Sequence, residues 1–334
     1  MAPDPTSALD RIILGGEPIY TRADLLERSR VPDQLARTLW RALGFPDTGG
    51  ARAFTDMDLR ALQTVGRLID EQLLDEETVV VIARSLGQST ARLADWQTEA
   101  VGRLLADHGE LPDIDDGLDP ESMDAIAARA GELIGPLGQL LDYAWRRQLV
   151  AVLDRRLARA EVAAEEAVAT VGFADLVGFT RLSRQLVDAD LAALVESFEA
   201  ASADVVAATG AQLVKTVGDE IFFVAQSAEI AVATARQLHD VHRLLPEVPQ
   251  VRIGLATGHV LRRMGDVFGA TVNLASRLTA FARPGMTLVD AATAAEAQEL
   301  PGVRLRQQAP RRVRGVGIVR AFELVEVSSE HGRR

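Results

Sequence analysis

The pattern of apolar and polar residues changes period once along this chain. From Thr21 to about Ala163 apolar residues recur every three to four positions, as at Leu59, Leu62, Val65 and Leu68, which predicts helices. Two short units come first, Thr21 to Val31 and Asp33 to Gly44, with Thr21 and Asp33 as expected caps and Gly44 as an expected stop. Their length and tight junction predict a helix-turn-helix outline. Residues 1–18 mix Pro, Gly and polar side chains and read as a loose arm. Another helix opens at Asp56, and helical periodicity resumes through about Leu105. Glu110 to Asp124 holds seven acids and no base, which reads as a solvated loop leading into a helix near Pro120. From Met123 to about Ala163 two helices are expected, meeting near Gly135 and Pro136. The second carries Leu140, Ala144, Leu149, Leu153 and Leu157.

Near residue 167 the period shortens. Val168 to Ala174 is strand-like, Ala189 to Ala208 helical and Gln212 to Val217 a strand. Gly218-Asp219 makes a turn, and Ile221 to Ala225 returns as its hairpin partner. A helix over Ser227–Leu245 and a strand over Val251–Thr257 complete a βαββαβ order. That order predicts a ferredoxin-like sandwich with helices on one face of an antiparallel sheet. The expected fold class is therefore α+β, an all-helical domain over 1–160 followed by a sandwich domain over 161–334.

Composition narrows the chemistry. The 334 residues include no Cys, which removes disulfides, thiolate metal sites and a cysteine nucleophile, and fits a reducing cytosol. The longest apolar runs, such as Thr78 to Ala83, fall far short of a membrane span, and the first residues lack the regions of a secretory signal. A cytoplasmic protein with no transmembrane segment is expected. The net charge of −12 argues against broad binding to nucleic acid or anionic lipid. Of 36 basic residues 35 are Arg, and the single Lys is Lys215. Arg and Lys differ in shape and hydration, so a lone ammonium in such a chain marks a position to examine.

Two acids stand out by position. Asp175 ends the first strand of the sandwich and Asp219 sits at the hairpin tip, so strand pairing would bring both carboxylates to one rim. Two hard oxygen ligands beside a Gly-containing turn suit Mg²⁺ and a polyphosphate. Asp is also common at turns and strand ends, so neither position is decisive alone.

Three ordered segments carry a resemblance: Phe173-Ala-Asp-Leu-Val-Gly-Phe-Thr, Val214-Lys-Thr-Val-Gly-Asp-Glu, and Gly265-Asp-Val-Phe-Gly-Ala-Thr-Val-Asn-Leu-Ala-Ser-Arg. Together they resemble the signatures of class III nucleotide cyclases over about 168–325. The resemblance implies an adenylate cyclase that converts ATP to 3′,5′-cyclic AMP and pyrophosphate with two Mg²⁺ or Mn²⁺ ions per site. It implies metal binding at Asp175, Asp219 and Leu176, and purine reading by Lys215 and Asp266. Asn273 would orient the ribose and Arg277 would meet the transition state. Gly178, Phe179 and Thr180 would bind the substrate, and Arg314 would meet its triphosphate. It further implies a homodimer whose sites draw the metal aspartates from one copy and the purine and transition-state residues from the other. The physics agrees: Lys215 can donate to an adenine ring nitrogen and Asp266 can accept from its exocyclic amine, whereas guanine presents the reverse pattern.

The unit from Tyr20 to Pro46 resembles the helix-turn-helix of MerR-type regulators, and residues 10–160 resemble the helical regulatory domain of soluble actinobacterial cyclases. That second resemblance implies autoinhibition and a response to pH. Residues 1–160 carry 27 acids against 18 bases, which disfavours DNA as a partner. Five His residues (His108, His239, His242, His259 and His331) are candidates for a pH response, with His239 and His242 expected to be solvated. The helical half also has enough apolar surface to hold a lipid or another small effector. Two function classes stay open: a regulated adenylate cyclase, and a DNA-binding or scaffold regulator whose cyclase domain only binds nucleotide.

Overall fold

A computed structural model describes residues 5–46, 51–107, 120–157, 167–245, 248–263, 265–313 and 317–326. The expectations for Arg314, His108, His331 and residues 110–119 and 158–163 lie outside them. The chain divides into two compact units, Met1–Arg155 and Arg156–Arg334.

The first unit is helical: α1 Pro5–Ile13, α2 Arg22–Ser29, α3 Asp33–Ala42, α4 Asp56–Asp70, α5 Glu76–Asp107 and α6 Pro120–Leu157. Helix α2 starts in a capping box in which the Thr21 N–H donates to Asp24 Oδ2 (2.8 Å) and the Asp24 N–H donates back to Thr21 Oγ1 (3.3 Å). Thr55 and Asp58 repeat the device at α4. Gly44, at φ 90°, follows the end of α3. Leu35, Leu39, Val79 and Ala83 bury the α3–α5 contact, and Phe54 and Leu59 pack with Leu25 and Trp40. Side chains of α2, α3, α4 and α5 surround an apolar cavity of about 360 Å³, with Arg22, Arg37 and Arg41 among its lining.

Three expectations for this unit change. Residues 5–13 form a helix rather than a loose arm, with Pro5 at the first position, where its missing N–H costs nothing. Asp33 occupies the first turn of α3 and not the cap, which is Pro32. There it accepts from Arg22 (2.8 Å) and from Arg37 one turn on (3.0 Å). Helix α6 runs through Pro136 without a break. Glu132 and Pro136 are both exposed, so water can satisfy the carbonyl that the proline leaves without a donor.

The second unit comprises β1 Ala167–Leu176, α7 Phe179–Leu182, α8 Asp188–Ala208, β2 Gln212–Val217, β3 Glu220–Ala225, α9 Ala228–Leu244, β4 Val251–Arg263, β5 Asp266–Phe268, α10 Ala270–Phe281, β6 Thr287–Val289, α11 Ala291–Ala297, β7 Val303–Gln307, β8 Arg311–Val313, β9 Gly317–Val319 and β10 Phe322–Glu326. The main sheet runs β2-β3-β1-β4-β6-β10-β7, with β5 beside β4 and a separate β8–β9 hairpin. The β2-β3-β1-β4 portion is antiparallel throughout, and β6 joins β4 in parallel.

Strand alternation sends residues to both faces of this sheet, and both are covered. Ala174, Leu176, Phe223 and Leu255 face a core with Phe198 of α8 and Leu238 of α9. Val171, Phe173, Phe222 and Ala256 face a second core with Ala275 and Leu278 of α10. The two helices of the βαββαβ order, α8 and α9, share one face as expected, and α10, which follows that order in the chain, covers the other. Gly254 allows this close approach: a Cβ there would overlap the Thr279 backbone nitrogen and the Ala275 carbonyl. Helix α9 is more enclosed than expected. His242 is 2% exposed, its ring 5.1 Å from that of Phe198 and its Nε2 3.1 Å from Ser202 Oγ. His239 is half-buried, with Nε2 2.8 Å from Thr287 Oγ1. Neither is solvated.

Candidate active site

The end of β1 is fixed from both sides. Asp175 lies opposite Glu220 of β3 and Arg252 of β4. One residue on, the Leu176 N–H donates to the Asp219 carbonyl (3.0 Å), and the Val177 N–H donates to that of Gln250 (3.0 Å). Gly178 then turns the chain at φ 80° into α7. The first amides of α7, at Phe179 and Thr180, have no acceptor within so short a helix. Gly218, at φ 61°, makes the β2–β3 turn that carries Asp219 to the same rim as Asp175.

This rim is crowded with acid. The Arg252 guanidinium grips Asp175, with Nε 2.6 Å from Oδ2 and Nη2 on the same oxygen. Asp219 is held above the ordinary carboxylate range by burial and then by the neighbouring Asp175 charge. Burial, Asp175 and Asp219 together push Glu220 up to about 7. Among the described residues these three carboxyl groups thus share one cation, Arg252, and the rim is short of positive charge. Hard oxygens in that condition suit a divalent cation. Among the described residues no group of three or more His, Cys, Asp or Glu is arranged to hold a metal ion. The two aspartates would therefore need further oxygens, such as the Leu176 carbonyl and a ligand's phosphates.

A second set lies on β2 and β5. Lys215 Nζ donates to Asp266 Oδ2 at 2.6 Å, and Asp266 Oδ1 accepts the Val267 N–H at 2.8 Å. A register shift between Leu213 and Lys215 sets the lysine opposite Phe222. Its ammonium stands 5.8 Å from the Phe222 ring centroid, and that ring stacks on Phe173 at 4.5 Å. Burial pushes the Asp266 carboxyl up, but the hydrogen bonds from Lys215 and Val267 and the lysine's charge outweigh it and leave it below its ordinary range. Both side chains remain partly open, at 42% and 30%. They form a donor and an acceptor side by side at a surface, above an aromatic floor.

Asn273 and Arg277 occupy one exposed face of α10, opposite the buried Ala275, Leu278 and Thr279. The sites read from the sequence therefore form three sets, on the β1–β3 rim, on β2 with β5, and on α10. Arg252 and Glu220 went unnoticed. A charged residue within the otherwise apolar Val251-Arg-Ile-Gly-Leu-Ala strand was the available signal for Arg252.

Paired carboxylates at the end of a βαββ sheet, beside a lysine–aspartate pair and an asparagine–arginine helix face, define the class III nucleotide cyclase type of catalytic domain. Residues 162–326 match the adenylate and guanylate cyclase catalytic domain family. An adenylate cyclase of Streptomyces coelicolor is 43% identical over 86% of this chain and 74% of its own length. One of Glutamicibacter nicotianae is 36% identical over 96% and 82%. A pH-sensitive adenylate cyclase of Mycobacterium tuberculosis is 29% identical over 96% and 82%. The chain belongs to the class III nucleotide cyclases, as an enzyme grouped with relatives that bear the name adenylate cyclase. Among the described residues no helix is long and apolar enough to cross a membrane.

Proposed function

We propose that the chain converts ATP to 3′,5′-cyclic AMP and pyrophosphate at sites shared between two copies. The observation that carries the choice of purine is the Lys215–Asp266 pair, 2.6 Å apart and partly open. Lys215 donates to an adenine ring nitrogen and Asp266 accepts from the exocyclic amine. A guanine carbonyl would meet Asp266 and its ring N–H would meet Lys215, and each mismatch leaves a polar group unpaired.

Asp175, Asp219 and the Leu176 carbonyl are the groups that would hold Mg²⁺ or Mn²⁺, two ions per site. Such ions, when bound, acidify the ribose 3′-hydroxyl and stabilise the attacking and leaving oxygens. The 3′-oxygen bonds to the α-phosphorus, its proton passes to solvent, and the bond to pyrophosphate breaks. Arg252 holds the Asp175 carboxyl in place at the rim. Arg277 supplies planar donors to the charge that builds on the α-phosphate, and Asn273, one turn away, orients the ribose. The amides after Gly178, with Phe179 and Thr180, and the Arg314 side chain meet the triphosphate. In the class that the site resembles, the carboxylates come from one copy and Lys215, Asp266, Asn273 and Arg277 from the other.

Residues 1–160 act as a regulatory domain on the catalytic domain of 161–334. The pH-sensitive relative supports pH as a signal. The apolar cavity among α2–α5, with arginines in its lining, supports a small apolar effector carrying an anionic group. The test is the full-length protein with ATP and Mg²⁺ or Mn²⁺, beside Asp219→Ala. Cyclic AMP from the native chain and at least about a hundredfold less from the variant is expected. No cyclic AMP at any pH or with either metal, together with retention on duplex DNA, would replace this reading with that of a DNA-binding regulator.

A further inference from the structure

From Gly138 to Leu157 every described side chain of α6 except Ala151 is exposed. These include Tyr143, Trp145, Leu149, Val150, Leu153 and Leu157, each 42–71% exposed. At about 100° per residue, Trp145 and Leu149 point to one side of the helix, while Tyr143, Val150 and Leu157 line another. A helix apolar on more than one side belongs inside an assembly, and a bare helix of this length is marginal in water.

We propose that this half of α6 pairs antiparallel, about a two-fold axis at Val150, with α6 of a second copy of the chain. The seam is small: the exposed parts of Tyr143, Val150, Leu153 and Leu157 offer roughly 400 Å² per copy, or about 800 Å² in the pair, the size of a weak interface in which charge has to fix the geometry. The charges choose the direction. Arg146 lies beside the Tyr143–Val150–Leu157 seam and pairs within its own helix with Asp142 (2.8 Å). With the two helices antiparallel and centred on Val150, Arg146 also faces Asp154 of the second copy, and the contact repeats by symmetry. A parallel pair would instead set Arg146 against Arg146 and Asp142 against Asp142. The same register sets Tyr143 against Leu157 and Val150 against itself. This contact belongs to the helical unit and does not depend on the cyclase reading. Its consequence for that reading is proximity, since two tethered catalytic units meet at an effective concentration of the order of millimolar.

The chain has no cysteine, so single-cysteine variants of the full-length protein report without background. Under mild oxidation Val150→Cys should form a disulfide-linked dimer. Tyr143→Cys and Leu157→Cys should each stay monomeric on a non-reducing gel, but their equimolar mixture should link. Linking of Tyr143→Cys to itself would overturn the antiparallel pairing. Absence of linkage by Val150→Cys would overturn the proposal outright, whether the thiol reacts freely with maleimide (a bare helix) or is protected in a monomer (a helix covered by its own chain). An active enzyme without these links refutes only this proposal. Linked dimers that form no cyclic AMP refute only the cyclase reading.

Discussion

Lowering the pH should loosen the α8–α9 seam of the catalytic unit through His242. Its ring is buried against Phe198 and Ser202 of α8, and its Nδ1 has no hydrogen-bond partner among the described residues. Burial lowers its pKa from 6.5 to about 4. The folded protein therefore binds this proton more weakly than the unfolded chain does. The contribution of neutral His242 is fully present above pH 6.5 and is lost as the pH falls toward 4. A shift of that size corresponds to about 3 kcal/mol when fully expressed. Going from about pH 7.5 to about pH 5.5 expresses about 1.4 kcal/mol of it, roughly a tenfold rise in local opening. All three tryptophans, Trp40, Trp96 and Trp145, lie in the helical unit, so their fluorescence does not report this event. Hydrogen exchange of α9 amides does. His242 should lower the opening free energy in α9 by about 1.4 kcal/mol over that range, beyond the drift of α4 and in addition to the share of His239, whose pKa burial on the same helix also lowers to about 4. His242→Gln, which keeps a polar group near Ser202 but does not titrate, should lack that component. Equal pH slopes in the two proteins would refute the assignment.

Other substitutions address separate parts of the structure. Lys215→Glu should lower kcat/KM for ATP by about a hundredfold, because it sets two carboxylates against the purine and breaks the pair with Asp266; an unchanged ATP preference in competition with GTP would remove the purine-reading role. Gly254→Ala should destabilise the catalytic unit by about 2 kcal/mol or more, since the added methyl meets α10 backbone that cannot yield; differential scanning calorimetry should show a lower transition for that unit. Thr55→Ala should cost about 1 kcal/mol, seen as an earlier urea transition by tryptophan fluorescence, because the hydroxyl that accepts from the first turn of α4 is lost while the backbone N–H of residue 55 still donates to Asp58.

What could be read from the sequence follows from how local each signal is. The βαββαβ order is legible because the change from period 3.6 to period 2 at residue 167 is abrupt and Gly218-Asp219 marks the hairpin. The approach of Asp175 and Asp219 follows from those elements alone. The course of α6 through Pro136 is less legible, since proline usually ends a helix and only its exposed setting permits continuation. The burial of His239 and His242 depends on α8 and β6, which are distant in sequence. So does the grip of Arg252 on Asp175, a contact across 77 residues. The second covered face of the sheet rests on Gly254, whose importance appears only when α10 is seen against it.

The central claim is that one chain carries both halves of a site that only two copies complete. It is tested most directly by mixing two inactive full-length variants, Asp219→Ala and Arg277→Ala. Each alone should form almost no cyclic AMP, whereas random pairing of equal amounts restores one intact site in half of the dimers, about a quarter of the native rate. A mixture as inactive as its parts, from variants shown to exchange subunits, would contradict the shared site.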